Sequence, residues 1–110
     1  MAIEFNGRVL ETDPEGYLEN LGDWTPDVAE QLAREDDIEL SANHWEVINF
    51  LRDYYQEYGI TPRMRILVRA MSKKLGSDKG NSKYLYDLFP YGPAKQGCKY
   101  AGLPKPANCF

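Results

Sequence analysis

The sequence predicts a mainly α-helical protein: a small helical bundle with an N-terminal β-hairpin, a helix-turn-helix-like core and a flexible C-terminal arm. Three observations lead to this prediction. Apolar residues recur at three- and four-residue intervals behind capping residues, an Asn-Gly pair divides an alternating segment near the start, and the last nine residues contain two prolines. We expect a helical domain over residues 1–101 and a mobile arm over residues 102–110.

The chain length and its hydropathy pattern are typical of one water-soluble domain. With 110 residues, of which 43% are hydrophobic, the chain can build one modest core. The longest stretch without a charged side chain has seven residues, Leu88 to Ala94, whereas a membrane-spanning helix needs about 20 apolar residues. Glu4 and Arg8 interrupt the apolar segment that a signal peptide requires. We therefore expect a cytoplasmic protein.

The first elements are predicted from turn and capping residues. The segment IEFNGRVLE alternates around Asn6 and Gly7, a pair that favours the type I′ turn of a hairpin because both positions require positive φ. Thr25 and Pro26 then have the pattern of a helix N-cap followed by proline at the first helical position. This helix is expected to end near Glu35.

The next two helices form the helix-turn-helix-like core. Ser41 is expected to cap a long helix with a wide apolar face, which ends at Gly59. Thr61 and Pro62 repeat the pattern of a cap followed by proline, and predict a third helix that ends near Gly76. The third helix also carries a basic stripe at i, i+4 and i+8, which consists of Arg65, Arg69 and Lys73.

Two short helices and an extended tail complete the prediction. The segment KYLYDLF at residues 83–89 is expected to form one or two helical turns after a polar loop. Gly92 and Pro93 then begin a last short helix that runs to about Ala101. Beyond it, the prolines of GLPKPANCF disfavour helix and favour an extended course.

The net charge of −4 conceals two oppositely charged halves. Residues 1–58 contain 15 acidic and 3 basic side chains, whereas residues 59–110 contain 2 acidic and 10 basic side chains. Two interpretations remain open at this point. Either the halves fold against each other and partly neutralise, or a basic surface binds a partner or an anion.

The cysteines exclude some classes of protein. Cys98 and Cys109 are the only two, and both lie in the last thirteen residues, which is unlike the distributed pattern of a disulfide-stapled fold. Together with the single histidine, His44, they supply too few ligands for an ordinary structural zinc site. We expect no metal, and we expect His44 to have a packing or capping role.

Cys109 is the candidate reactive residue. A cysteine one position from the chain end is expected to be exposed, and neighbouring cations would stabilise its thiolate. Cys98 is expected to pack in the last helix, but ten residues separate the pair, so the arm could bring them together reversibly. The candidate residues for arm binding and electrostatic guidance are Lys95, Lys99, Lys105, Arg65 and Arg69. A solvated basic face is the alternative explanation for them.

The tail GNSKYLYDLFPYGPAKQGCKYAGLPKPANCF closely resembles the end of the DsrC/TusE family, and GYLENLGDW, HWEVINFLRDYY and GITPRMRILV extend the resemblance more weakly along the chain. The resemblance implies a small helical protein whose penultimate cysteine, here Cys109, carries sulfur as a persulfide. TusE-like proteins have only this cysteine of the pair. DsrC-like proteins have a second cysteine upstream, at the position that Cys98 occupies.

The resemblance implies a role in dissimilatory sulfur metabolism. Cys109 would enter a channel of the dissimilatory sulfite reductase α and β subunits, and Cys98 would close a trisulfide that a membrane complex reduces. A DsrEFH- or TusBCD-like protein would donate sulfur, and the loop SDKGNSKYLY favours sulfur oxidation. The protein would be a monomeric carrier without a cofactor, a co-substrate rather than a stand-alone enzyme. Siroheme and the iron–sulfur cluster would belong to the reductase.

Two residues of the tail depart from the DsrC pattern. Asn108 stands where glycine is frequent, and Phe110 stands where a small aliphatic residue is usual. A bulkier tip would alter the fit in a narrow channel, so these positions bear on the identity of the partner.

Two alternative functions are kept. The first is a TusE-like sulfur relay for 2-thiouridine synthesis in transfer RNA. The second is a DNA-binding regulator, because the predicted helix-turn-helix carries Arg63, Arg65 and Arg69 on its second helix. The acidic first half opposes binding to DNA phosphates.

Overall fold

The computed structural model describes residues 2–106, and within this range the chain forms a two-stranded hairpin, a short 3-10 helix and five α-helices. The predicted mainly α-helical fold with an N-terminal hairpin is confirmed. Each helix of residues 2–106 is too short or too polar to span a bilayer. The elements are β1 (Ala2–Phe5), β2 (Arg8–Glu11), the 3-10 helix (Leu21–Asp23), α1 (Pro26–Glu35), α2 (Ala42–Tyr58), α3 (Met64–Leu75), α4 (Ser82–Leu88) and α5 (Pro93–Tyr100).

The hairpin forms around the predicted turn. Strands β1 and β2 pair in antiparallel register, with Phe5 opposite Arg8. Asn6 has a φ of 50° and Gly7 a φ of 77°, as a type I′ turn requires. The hairpin contributes Leu10, which is 1% exposed, to the hydrophobic core.

The boundaries of α1 and α2 agree with the capping residues in the sequence. The Thr25 side chain accepts a hydrogen bond from the Val28 N–H at the start of α1. Ser41 caps α2, and Gly59 ends it in the left-handed conformation, with a φ of 71°.

The predicted start of α3 is wrong. Arg63 is the N-cap, with extended backbone and no side-chain capping bond, and the helix begins at Met64. Pro62 therefore lies in the turn before α3, where its side chain is buried. Met64 begins the buried face of α3, so packing against the core, rather than the capping pattern at Thr61 and Pro62, determines where the helix starts.

Helix α5 lies at the centre of the fold. It contacts α1, α2, α3 and α4, and six of its eight residues are buried. A Cβ atom built on Gly97 would lie 2.7 Å from Cδ1 of Leu51, so glycine allows α5 to approach α2 closely. The fold thus encloses the helix that carries Cys98.

A partly buried polar network joins α5 to the end of α1. The Tyr100 hydroxyl donates to Oδ2 of Asp36 at 2.6 Å and accepts from Nε2 of Gln96 at 2.8 Å. Nζ of Lys99 lies 3.2 Å from the same carboxylate oxygen of Asp36. Burial, together with the hydrogen bond to Asp36, raises the pKa of Tyr100 above its ordinary value of 10.0.

We expect Tyr100→Phe to lower the free energy of unfolding by about 1.5–3 kcal/mol at neutral pH, because a hydrogen bond to a charged group is lost. The folded-state pKa of Tyr100 lies above the unfolded-state value, so its contribution is complete below pH 10 and is lost as the pH rises further. Urea unfolding from about pH 9 to pH 12 should therefore give a shallower loss of stability in the variant. The control is Tyr58→Phe, at an exposed tyrosine. Parallel pH profiles for wild type and Tyr100→Phe would contradict this prediction.

Candidate functional site

The site begins where α5 ends and the C-terminal segment leaves the domain. Gly102 adopts the left-handed conformation, with a φ of 72°. The Leu103 N–H donates to the Cys98 carbonyl at 2.9 Å, and the Gly102 N–H donates to the Lys99 carbonyl at 3.2 Å. These two hydrogen bonds define a Schellman motif, which ends the helix and reverses the chain.

Two side chains from distant elements bind the last carbonyl groups of this region. Nε1 of Trp24 donates to the Tyr100 carbonyl at 2.7 Å, and Nη1 of Arg52 donates to the Ala101 carbonyl at 2.7 Å. The Arg52 guanidinium also stacks 3.7 Å from the centre of the Trp24 ring. We call this pair the Trp24–Arg52 clamp. It supplies donors and a cation to a helix end, where carbonyl groups have no intrahelical partner.

Gly102 lies directly against Trp24 of the Trp24–Arg52 clamp. A Cβ atom at Gly102 would lie 2.4–2.7 Å from side-chain atoms of Trp24, so no larger residue fits without displacing the indole. Leu103 is 4% exposed and Pro106 is also buried. The described part of the predicted arm therefore packs against the domain at these residues. Residues 107–110 lie outside the described range, and mobility of the arm stays a prediction.

The two cysteines differ in what the structure describes. Cys98 lies on α5 and is 0% exposed, within the hydrophobic core. Reaction at its sulfur therefore requires displacement of the atoms that cover it. Cys109 lies outside the described residues, as do Asn108 and Phe110, and the roles expected for these three stay predictions.

Two of the predicted guiding lysines, Lys95 and Lys99, line one shallow pocket of about 200 Å³ together with Glu15. Lys99 pairs with Asp36 at 3.2 Å, and Nζ of Lys105 lies 2.7 Å from Oε1 of Glu15. Lys95 is exposed. Two of the three lysines, Lys99 and Lys105, are thus engaged in ion pairs, and Lys105 is joined to the pocket through Glu15.

Arg65 and Arg69 do not join these lysines. Both are exposed, on the side of α3 opposite the buried residues Met64, Leu67 and Met71, and neither lines the pocket beside Lys99. The basic stripe therefore forms a separate surface.

His44 has the predicted capping and packing role. Its Nδ1 accepts from the Ser41 N–H at 3.0 Å, so Nε2 carries the proton and donates to the Leu88 carbonyl at 2.8 Å. The ring packs edge-on against Phe89. Within residues 2–106, no group of three or more His, Cys, Asp or Glu residues could hold a metal ion.

The Trp24–Arg52 clamp was not predicted from the sequence. Trp24 precedes α1 and Arg52 lies in the middle of α2, so no local spacing relates them to the end of α5. The only local signal is Gly102, which follows the last helix in the position of a C-terminal cap.

Taken together, the hairpin, the enclosed last helix and the anchored C-terminal segment define a small helical protein whose final helix bears a cysteine. A family model described as "DsrC like protein" matches residues 4–110. The chain belongs to this DsrC-like family, and the resemblance predicted from the sequence is confirmed.

Among curated relatives, the sulfurtransferase TusE of Yersinia pestis is 53% identical over 108 residues, which cover 98% of this chain and 99% of the relative. The TusE homolog of Haemophilus influenzae is 56% identical over the same shares of both chains. Among solved structures, the NMR structure of Allochromatium vinosum DsrC is 59% identical, with a TM-score of 0.89 over 100% of both chains. The oxidized γ-subunit of dissimilatory sulfite reductase (DsrC) from Archaeoglobus fulgidus is 42% identical, with a TM-score of 0.87 over 100% of both chains.

We expect Gly102→Ala to destabilise the protein by about 2–4 kcal/mol, because the new methyl group adds steric overlap with Trp24 to the cost of the left-handed backbone. Gly59→Ala is a matched control. Gly59 has nearly the same φ, 71° against 72°, but no atom within 4 Å of an added Cβ. The control should lose only about 1–2 kcal/mol in urea unfolding. Equal losses would show that Trp24 does not constrain Gly102.

Proposed function

We propose that this protein is a sulfur carrier that holds sulfur as a persulfide on Cys109. The observation that carries the proposal is the family match, which extends to residue 110 and therefore includes Cys109. The curated relatives named sulfurtransferase TusE, which align over nearly the whole chain, support the same role.

The relay is of the TusE type, in which sulfur passes from a persulfide donor protein towards an acceptor that thiolates transfer RNA. The names of the relatives favour this alternative over the role with dissimilatory sulfite reductase that the sequence first suggested. The donor would be a TusBCD-like protein and the final acceptor an RNA-modifying enzyme.

The transfer is a thiolate–persulfide exchange. The Cys109 thiolate attacks the outer sulfur of the donor persulfide, a new S–S bond forms on Cys109, and the donor cysteine leaves as a thiolate. No net oxidation or reduction occurs, and the exchange requires no cofactor or metal on this chain. The product persulfide can repeat the step on the acceptor.

The described residues supply two features that suit a carrier. The Trp24–Arg52 clamp and the Schellman motif hold the start of the C-terminal segment at a defined place on the domain. The lysines beside that segment provide positive charge, which favours a thiolate or persulfide anion in their neighbourhood. Lys95 is suited to this role because it is exposed and forms no ion pair with another residue in the described range.

A second candidate is a DsrC-type carrier for dissimilatory sulfite reductase. The position of Cys98, with ten residues between it and Cys109, and the 59% identity to Allochromatium vinosum DsrC favour it. In this reading the Cys109 persulfide and the Cys98 thiol form a trisulfide, with release of two protons and two electrons. The electrons would go to an oxidised sulfur intermediate on the reductase.

We expect intact-mass spectrometry to show one added sulfur on wild type and on Cys98→Ser after incubation with a persulfide donor, and none on Cys109→Ser. The reason is that Cys109 is the acceptor, while Cys98 is 0% exposed. Dithiothreitol should remove the added mass. Absence of loading on Cys109 from protein persulfides, or equal loading of Cys109→Ser, would overturn the carrier proposal.

The same variants separate the two candidates. If Cys98→Ser passes sulfur onward at the wild-type rate and wild type forms no bridged species, the TusE-type relay is supported. A reducible species that links both cysteines in wild type, together with loss of sulfite reductase turnover in Cys98→Ser, would instead support the DsrC-type carrier.

A further inference from the structure

Helix α3 carries cations that form no ion pair with any carboxylate of residues 2–106. The helix contains no acidic residue, and among residues 2–106 none of its basic side chains takes part in an ion pair. The same holds for Arg63, its N-cap. By contrast, Lys79, Lys99 and Lys105 all pair with carboxylates. The exposed cations of this region are Arg63, Arg65, Arg69, Lys73 and Lys74.

The basic stripe is a regular row on the solvent side of α3. Arg65, Arg69 and Lys73 succeed one another at intervals of four residues, which corresponds to about 6 Å per step along the helix axis. No residue of α3 is an exposed large hydrophobic side chain. The basic stripe is therefore a positively charged surface that contains no exposed large apolar side chain.

Helix α2 lies beside α3 and limits the basic stripe on one side. Arg63 and Ile66 line a groove of about 430 Å³ together with Tyr54, and Nζ of Lys74 lies 5.6 Å from the centre of the Phe50 ring. Asp53 and Glu57, on the same helix as Tyr54, are exposed acidic residues. The cations of α3 thus attract an anionic partner, whereas Asp53 and Glu57 on α2 repel it.

We propose that the basic stripe binds the phosphate backbone of a folded RNA. Guanidinium groups bind phosphates with two parallel hydrogen bonds, and a row of uncompensated cations matches a row of phosphates. An acidic protein fits less well, because the core of a protein interface is depleted in charge and enriched in apolar residues. This inference rests on the proposed relay, whose final acceptor is an enzyme that acts on transfer RNA.

The acidic half of the chain restricts how much nucleic acid can bind. Residues 1–58 have a net charge of −12, given 15 acidic and 3 basic side chains. A long duplex that extended past α3 would meet this charge, whereas a compact RNA can contact α3 alone. The expected binding is therefore weak and strongly dependent on salt.

The test is fluorescence anisotropy with a labelled transfer RNA transcript in about 50–200 mM salt, a range over which phosphate contacts strongly weaken. The triple variant Arg65→Gln/Arg69→Gln/Lys73→Gln should bind at least about tenfold more weakly than wild type, with the salt slope reduced by about two to three. A matched control is Arg8→Gln/Arg34→Gln/Lys83→Gln, which removes the same charge from exposed positions elsewhere. It should change affinity by less than about threefold.

Several results would overturn the proposal: no binding by wild type, equal loss in both triple variants, or equal affinity for a DNA duplex of similar length. Light scattering would also overturn it if the stripe variant abolished a dimer, since the stripe would then bind the acidic half of a second copy. Circular dichroism checks that each variant is folded. The double variant Arg65→Lys/Arg69→Lys keeps the positive charge and should retain binding to the transfer RNA transcript. Sulfur loading of wild-type Cys109, measured on the same preparation, tests the carrier function separately.

Discussion

The close approach of α5 to its neighbours is the constraint on which the rest of the structure depends. Gly97 permits this approach, since a side chain there would meet Leu51 on α2. A helix surrounded on most sides must satisfy its polar groups internally. The Asp36–Tyr100–Gln96 network and the Trp24–Arg52 clamp do so, and they also fix the place from which the C-terminal segment leaves the domain.

The separation of charge along the chain has two structural outcomes. Among residues 2–106, three ion pairs join acidic residues of the first half to basic residues of the second: Glu15 with Lys105, Asp36 with Lys99 and Glu46 with Lys79. Partial neutralisation of the two charged halves is therefore observed around α5 and in the loop before α4. It is not observed at α3, whose basic side chains form no ion pair within residues 2–106. The first interpretation of the sequence thus applies around α5, and binding of a partner or an anion by the basic surface of α3 stays a prediction.

Local signals in the sequence predicted most of the fold. Ser41 and Gly59 delimit α2 as expected, because capping acts over a few residues. The start of α3 was misplaced because burial of Met64 outweighs a local pattern. The Trp24–Arg52 clamp could not be predicted, since it joins residues far apart in the chain. Cys109 emerged as a candidate from its position and from the family resemblance, which depend on no long-range contact.

Packing of Pro106 against the domain makes the remaining residues a short tether. Three peptide units separate Pro106 from Cys109, so covalent geometry limits the span between them to about 10–11 Å. Within that radius a linked thiol meets a neighbouring site at an effective concentration in the millimolar range, far above that of a freely diffusing protein. Delivery of sulfur would then be governed by which partner surface comes within one tether length of the domain, and weak, brief encounters would suffice.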